Sequence, residues 1–595
     1  MRFVLDIASR RRVAGGEVIG TREPGDIHAW RGIPYARAPI GELRWRAPRP
    51  AMPWSGVFEA STHGPMAPQY ADLLAGASAR QRGHIVGDEN CLALNVFAPA
   101  FEPRAVPGAG QRRPVVVWIH GGGNSVGTSA TYDVARNYAR HDGLLVVTVN
   151  YRLGLLGWFT HPALHEADDV TPEERSGNFG TLDLIAALRW VRDNIAAFGG
   201  DPGCVTIFGQ SAGGQNVLSL LASPLAQGLF HRAIAQSPVT CTYSVEEAVN
   251  GCEDPQPGHR DSALEVTARL YVAEGLASDH EAARKHLATL PAADIAAFLR
   301  SLSPARLLRV VSPGSVGIYW GPRPVRDGMV LPHKPLTEVF ASGHWNRVPV
   351  ILGSARDEYK PFIADKPEHS HMLLGKLPML RDRRAYLVEA EYMSNAWRAL
   401  HVDAPADAML ASGHADVWTY RFDWDEAPAI PVIRPDLLLG AAHGMEMAFV
   451  FRDTAGELDL FRVNTPFNRS GRVALAREMG GAWTSFARDG VPTPPNNKWS
   501  RRDLDAEQSD CLLFDTARDG GIRMMRMRTD MAAVKQALKS DAATEPASLR
   551  CRIYARLFLW SPLFAGNGDA SEYERWCQEL GCTATADEFR PQFDI

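Results

Sequence analysis

Short runs of β-branched and aromatic residues, each ending in a turn, recur along this chain. Residues 115–119 (VVVWI) lead into His120-Gly121-Gly122-Gly123, and 144–149 (LLVVTV) into Asn150-Tyr151-Arg152. Residues 205–208 (VTIF) lead into Gly209-Gln210-Ser211-Ala212-Gly213, and 348–352 (VPVIL) into Gly353-Ser354. A strand with water on one face alternates apolar and polar positions. These runs do not alternate, so they predict strands buried on both faces beneath helices. Between them, residues 182–198 (LDLIAALRWVRDNIAAF) repeat apolar positions at helical spacing and meet a stop at Gly199-Gly200. The recurring exchange of strand and helix predicts an α/β fold, with a large mainly parallel sheet flanked by helices. Residues 550–560 read as a closing helix and 571–580 as a shorter one ended by Gly581. Residues 99–114 and 491–497 read as surface loops.

Composition narrows the function classes. The 595 residues would make roughly four domains at about 150 residues each. Apolar residues are 45% and charged residues 22%, as in an ordinary globular chain. Lys and Arg number 63 against 68 Asp and Glu, a net charge of −5, so no basic excess exists to bind nucleic acid. No run approaches the length of about 18 apolar residues that would suggest a membrane span. Eight cysteines are too few for a disulfide scaffold. The opening MRFVLDIASRRRVAGGEV lacks the apolar core and cleavage site of a secretory signal. A cytoplasmic location is therefore expected.

Gly209-Gln210-Ser211-Ala212-Gly213 is a G-x-S-x-G sequence set between an apolar strand and a helical pattern. On such a sharp turn a serine hydroxyl projects from the sheet, and only small residues two positions away let the flanking segments pack. The helix start behind it offers a free N–H and a positive dipole end to an oxyanion. His120-Gly121-Gly122-Gly123 also leaves a buried strand, and its N–H groups add to this reading. Gly122, Gly123 and Ala212 together would make a three-donor oxyanion hole. A serine hydroxyl is a weak nucleophile and needs a base, which itself needs an orienting acid. Of 18 histidines, His443 stands out on the small-residue loop Gly440-Ala441-Ala442-His443-Gly444, ahead of a helical stretch at 445–451. The acid follows the strand at 348–352, where Asp357 and Glu358 are equal candidates by this reasoning alone.

At these residues the chain resembles the type-B carboxylesterase/cholinesterase family of α/β-hydrolases, over about residues 15–560. Arg31-Gly32-Ile33-Pro34-Tyr35-Ala36, with Pro39, Gly41, Arg44 and Trp54, resembles the family's opening segment. Glu89-Asn90-Cys91-Leu92-Ala93-Leu94-Asn95-Val96 resembles its E-D-C-L-x-L-N signature. Gly177-Asn178-Phe179-Gly180, Asp183 and Phe198-Gly199-Gly200-Asp201-Pro202 resemble the approach to its nucleophile. The resemblance implies Ser211 as nucleophile, His443 as general base and Glu358 as acid, because the family's motif places a Glu directly after an Asp. It implies Gly122, Gly123 and Ala212 as oxyanion donors, Ser237 as a hydrogen-bonding support of the acid, and a structural ion pair between Glu89 and Arg152.

The departures from the family pattern bear on substrate. Many members carry Glu immediately before the nucleophile, where this chain has Gln210. Cholinesterases carry a Trp about ten residues before the E-D-C-L cysteine, and residues 80–83 hold no aromatic. A quaternary ammonium would lack both its carboxylate and its cation–π partner, which argues against cholinesterase activity. Secreted relatives bridge the E-D-C-L cysteine to one upstream. Here no Cys precedes Cys91 and Met66 stands near the partner's place, as in an intracellular, bacterial-type esterase. Asn124 reads either as a polar contact to substrate or as a loop residue bonded to its own backbone.

The expected protein is a serine carboxylesterase that hydrolyses small-molecule esters through an acyl-enzyme, with no metal and no organic cofactor. The alternatives are hydrolysis of a related amide, carbamate or lactone, and a catalytically silent binding module. Residues 1–561 are expected to form one catalytic domain, with pocket-building insertions at about 245–345 and 370–435. Residues 562–595 are expected to be a helical extension of unassigned role. Trp320, Trp397 and Phe451 are plausible pocket-lining groups. Cys577 and Cys582 suggest a metal pair, but no second ligand pair accompanies them and a helical cap or oligomer contact is preferred. The chain would act as a monomer or a homo-oligomer.

Overall fold

The computed structural model describes residues 4–590, apart from 72–73, 75, 77–80, 167, 315–316, 320, 322, 374–376, 431–433, 505–508 and 565. Its centre is an eleven-stranded sheet. In chain order the strands are β1 (Thr21–Glu23), β2 (Ile27–Pro34), β3 (Ala93–Pro99), β4 (Arg113–Ile119), β5 (Leu145–Val149) and β6 (Gly200–Gln210). They continue with β7 (Arg232–Gln236), β8 (Val350–Ala355), β9 (Val417–Phe422), β10 (Cys511–Phe514) and β11 (Arg523–Met525). Across the sheet the order is β11-β10-β9-β8-β7-β6-β4-β5-β3-β2-β1. From β5 to β10 every neighbouring pair is parallel, and both edges turn antiparallel.

The unbroken apolar runs have a direct cause. Val115, Val117 and Ile119 of β4 point into one core and Val116 and Trp118 into the other. Leu145, Val147 and Val149 of β5 divide from Val146 in the same way, as do Val350 and Leu352 of β8 from Ile351. Successive side chains point to opposite faces, so a strand covered on both sides must be apolar at every position. Helices α1 (Phe179–Asn194) and α2 (Ala212–Ala222) close the first face through Leu184, Leu188, Val217 and Leu221. The α1 helix ends where expected, passing through a short 3-10 turn to Gly199 in the left-handed conformation.

Helices α3 (Arg383–Arg398) and α4 (Glu446–Val450) flank the site described below, and α5 (Arg469–Asp489) covers the second face with Leu475, Met479, Trp483 and Phe486. Further along the chain lie α6 (Ala547–Tyr554), continued by a π-helical turn over Ala555–Trp560, and α7 (Ala570–Leu580), capped by Gly581. Both bury apolar residues in a cluster shared with Tyr386, Met393 and Trp397 of α3. Among the described residues, no helix is long and apolar enough to cross a membrane.

The strand order reverses at β4. The connection after β5 returns to the far side of β4 to form β6, so the segments leaving β4 and β6 diverge and open a crevice at their carboxyl ends. Open α/β sheets place ligands at such a switch point. The segments leaving there are His120-Gly121-Gly122-Gly123 and the turn at Ser211.

Candidate active site

Ser211 occupies φ +61, ψ −125 between β6 and α2, a conformation that costs a non-glycine residue about 1–3 kcal/mol. It is held by its own N–H, which donates to Gln236 O at 2.9 Å, and by its carbonyl, which accepts from Gln215 N at 2.9 Å. The glycines either side permit the turn. A Cβ on Gly213 would stand 2.1 Å from Ile119 O, and one on Gly209 would stand 2.5 Å from Gly213 C. The adjacent loop needs φ +100 at Gly122, where a side chain would also strike Val126 O. Gln69 fastens this loop, donating to Gly127 O at 2.9 Å and accepting from Gly127 N at 2.7 Å. Among the described residues no protein hydrogen bond uses the N–H groups of Gly122, Gly123 or Ala212.

β8 delivers the acid. Glu358 is fully buried, and its Oε1 accepts from Ala355 N at 2.6 Å while its Oε2 lies 2.5 Å from His443 Nδ1. A carboxylate only accepts, so Nδ1 carries the ring proton and Nε2 is left as an acceptor. The tie between neighbouring acids resolves in space. Asp357 contacts Lys360 at 3.0 Å and Arg356 at 2.8 Å, and accepts from Ala441 N at 2.9 Å. Burial alone would raise its pKa, but the Lys360 and Arg356 charges hold it below the usual carboxylate range. Asp357 thereby pins the loop that carries His443.

His443 is 11% exposed, walled by Trp397 and Phe362 at ring-centre distances of 5.1 and 5.3 Å. Burial disfavours its charged form, yet the Glu358 charge and hydrogen bond, helped by Glu446, raise its pKa above the ordinary histidine value. Its Nε2 lies 3.0 Å from the Gln210 amide nitrogen. Ser211 Oγ has no recorded hydrogen bond among the described residues, so Gln210 takes the contact that a proton transfer would require. Catalytic hydrogen bonds commonly tighten only in the substrate complex.

A second buried carboxyl lies beneath, and sequence reasoning passed over it. Glu446, the first residue of α4, is fully buried and accepts from Gln236 Nε2 at 3.4 Å. Burial and the Glu358 charge push its pKa up to about 7 from 4.5. The folded state thus holds this proton more tightly than the unfolded chain, so the group destabilises the fold progressively as pH rises from about 4.5 through 7. Glu446→Gln is expected to gain stability over wild type on the order of 3 kcal/mol above pH 7 and nothing below pH 4.5. Urea unfolding at a series of pH values reads this difference, and a pH-independent difference would refute the assignment.

Several expectations need correction. Ser237, at φ +42, makes no hydrogen bond to the acid, and its buried hydroxyl has no protein partner among the described residues. Both Glu358 oxygens are already engaged by Ala355 and His443. Arg152 pairs with Asp183 at 2.7 Å and Glu89 with Arg44 at 2.6 Å, so they are two separate pairs and not one. Asn124 lines the smaller lobe of the cleft but is not bonded to its own backbone. At φ +58 it donates to Gln215 Oε1 and accepts from Asn216 Nδ2, both at 2.9 Å, which ties the glycine loop to α2.

Ser211 stands where two lobes of a cleft meet. The larger encloses about 1200 Å³ of space open to solvent, between His443, Met445 and Met447 on one wall and Leu458, Leu460 and Phe461 on another. The smaller, about 530 Å³, lies against Gly123, Ala212, Val239, Arg323 and Trp397. Trp397 lines the cleft as expected, Phe451 is buried in the core, and Trp320 lies outside the described residues. Much of the larger lobe comes from 443–464, beyond both expected insertions. No periodic signal marks that segment, since a lining residue is as apolar as a core one.

Known proteins share this architecture. A family model described as the carboxylesterase family matches residues 8–401 and 389–531. The para-nitrobenzyl esterase of Bacillus subtilis is 34% identical over 84% of this chain and 94% of its own length. The fumonisin B1 esterase of Sphingopyxis macrogoltabida is 31% identical over 81% of this chain and 82% of its own. A solved PNB esterase structure superposes with a TM-score of 0.62 at 30% identity, covering 87% of this chain and 97% of that one. The strand order, the serine turn at the switch point and these matches agree: the chain is a member of the carboxylesterase family of α/β-hydrolases, the carboxylic-ester hydrolases.

Proposed function

We propose that Ser211, His443 and Glu358 hydrolyse a small-molecule ester through an acyl-enzyme, with Gly122, Gly123 and Ala212 binding the oxyanion. The observation that carries this reading is convergence. A strained serine at the end of β6, three unengaged N–H groups beside it and an acid-bound histidine all face one crevice. His443 Nε2 accepts the Ser211 proton as Oγ attacks the ester carbonyl, and Gln210 yields its contact as the substrate enters. Glu358 fixes the tautomer and stabilises the imidazolium. The three N–H groups bind the developing oxyanion, an effect of about 3 kcal/mol per donor. His443 then protonates the leaving alcohol, and water repeats the attack on the acyl-enzyme.

The two lobes support a division of the substrate into its alcohol and acyl halves. The leaving oxygen must face His443, which lines only the larger lobe, so the alcohol extends among Met445, Met447 and Phe461. The acyl chain turns past Ala212 and Gly123 into the smaller lobe. Enlarging an apolar alcohol should therefore raise kcat/KM about fourfold per buried methylene, until the lobe is filled. Lengthening the acyl chain should reach its limit sooner. A matched series of esters varied on either side tests this, and tolerance of bulk on the acyl side alone would reverse the assignment. The acidic limb of kcat/KM should lie above pH 6.5, and Glu446→Gln should move it downward.

A further inference from the structure

The segment beyond the carboxylesterase match, which ends at residue 531, holds a side-chain cluster that ester hydrolysis does not use. Cys577 and Cys582 are not an isolated pair, because Cys551 from α6 joins them. The three sulfur atoms lie within 4.8 Å of one another. Local geometry produces this grouping. Cys577 sits in the last turn of α7, and Gly581 at φ +71 reverses the chain just beyond it. The N–H of Cys582 donates to Cys577 O at 3.0 Å, which brings the second sulfur back beside the first. Cys551 is buried, whereas Cys577 and Cys582 are partly exposed, so the cluster opens to solvent on one side. Among the described residues no other group of three His, Cys, Asp or Glu side chains meets the same proximity.

We propose that Cys551, Cys577 and Cys582 form a three-thiolate site for one thiophilic d10 cation, Zn²⁺ or Cu⁺. Sulfur ligands select such ions, whereas Mg²⁺ and Ca²⁺ demand oxygen. Three sulfurs each about 2.3 Å from a common centre stand roughly 3.8–4.0 Å apart, so the present spacing needs only small side-chain rotations. Binding is not a redox step. Each thiol releases its proton to solvent as its sulfur–metal bond forms, three protons in all, leaving a net charge of −1 with Zn²⁺ or −2 with Cu⁺. Three-coordinate Cu⁺ needs no further ligand, while Zn²⁺ takes a water in its fourth position. The ion would fasten α7 to α6, and α6 shares its apolar cluster with Trp397 of α3, a wall of the smaller lobe.

Anaerobic titration of the full-length reduced protein with Zn²⁺ and with Cu⁺, each against a chromophoric chelator, tests the proposal. The expected result is one tightly held equivalent of at least one ion, with the tighter of the two identifying the occupant. The Cys577→Ser/Cys582→Ser variant should bind about 100-fold more weakly, while Cys252→Ser, which removes an exposed thiol elsewhere, should bind as wild type. Cd²⁺ gives a second readout, since its thiolate charge-transfer absorbance should fall by one third in Cys577→Ser. Unchanged ester turnover in the double variant shows that it has folded. The proposal is overturned if neither ion is retained, or if the double variant binds as tightly as wild type.

Discussion

Ser211→Ala should lower ester turnover on the order of 10⁵-fold or more and abolish labelling by an organophosphate. The size of the effect follows from the position of the residue. Its hydroxyl is the proposed nucleophile at the point where β4 and β6 diverge, where Gly122, Gly123 and Ala212 also line the cleft. The alanine variant keeps those donors and the cleft, so substrate still binds and a small residual rate over water remains. KM should change far less than kcat. The strained backbone is set by its surroundings, with Gln236 and Gln215 holding the turn, so the variant should fold. Turnover of p-nitrophenyl acetate equal to wild type, or labelling at another serine, would falsify the assignment of the nucleophile.

Glu358→Gln should lower kcat about 10⁴-fold, because an amide at this position favours the wrong imidazole tautomer and cannot stabilise the imidazolium. Its neighbour provides the contrast. Asp357→Asn removes the partner of Lys360, a side chain only 8% exposed, and loosens the hold on Ala441. It should cost about 3 kcal/mol of stability, because a nearly buried ammonium loses its counter-charge. In the protein that remains folded, kcat should fall far less than in Glu358→Gln. The two substitutions are adjacent in sequence and equally conservative, so a stability loss without a matching kcat loss separates a structural acid from a catalytic one. Equal kcat losses would place both in the catalytic array.

Several residues show how much was legible beforehand. The runs at 115–119, 144–149, 205–208 and 348–352 declared parallel strands because burial on two faces demands apolar residues throughout. The glycines around Ser211 and after His120 declared close backbone approach, and the Cβ clashes at Gly213 and Gly122 bear that out. Reading was weakest where one residue type serves several roles. The carboxylates of Asp357, Glu358 and Glu446 are chemically alike. Their surroundings make one a loop anchor, one a partner of His443 and one a carboxyl with its pKa raised to about 7. Ion-pair partners failed for the same reason, since any Arg can satisfy any buried acid: Arg152 reaches Asp183 and Arg44 reaches Glu89.

The amino-acid sequence by itself determined the α/β class, the serine turn, the glycine loop and the family, all of which rest on local requirements such as periodicity, turn geometry and steric room. Only the tertiary structure decided which side chains meet across long separations. It brought His443 to Glu358 across 85 positions and Cys551 to Cys577 and Cys582, and it turned 443–464 into the wall of a cleft. The physical reason is that such contacts depend on how strands are ordered in the sheet and how helices pack on it. Those choices minimise exposed apolar surface for the chain as a whole, and no single segment records them.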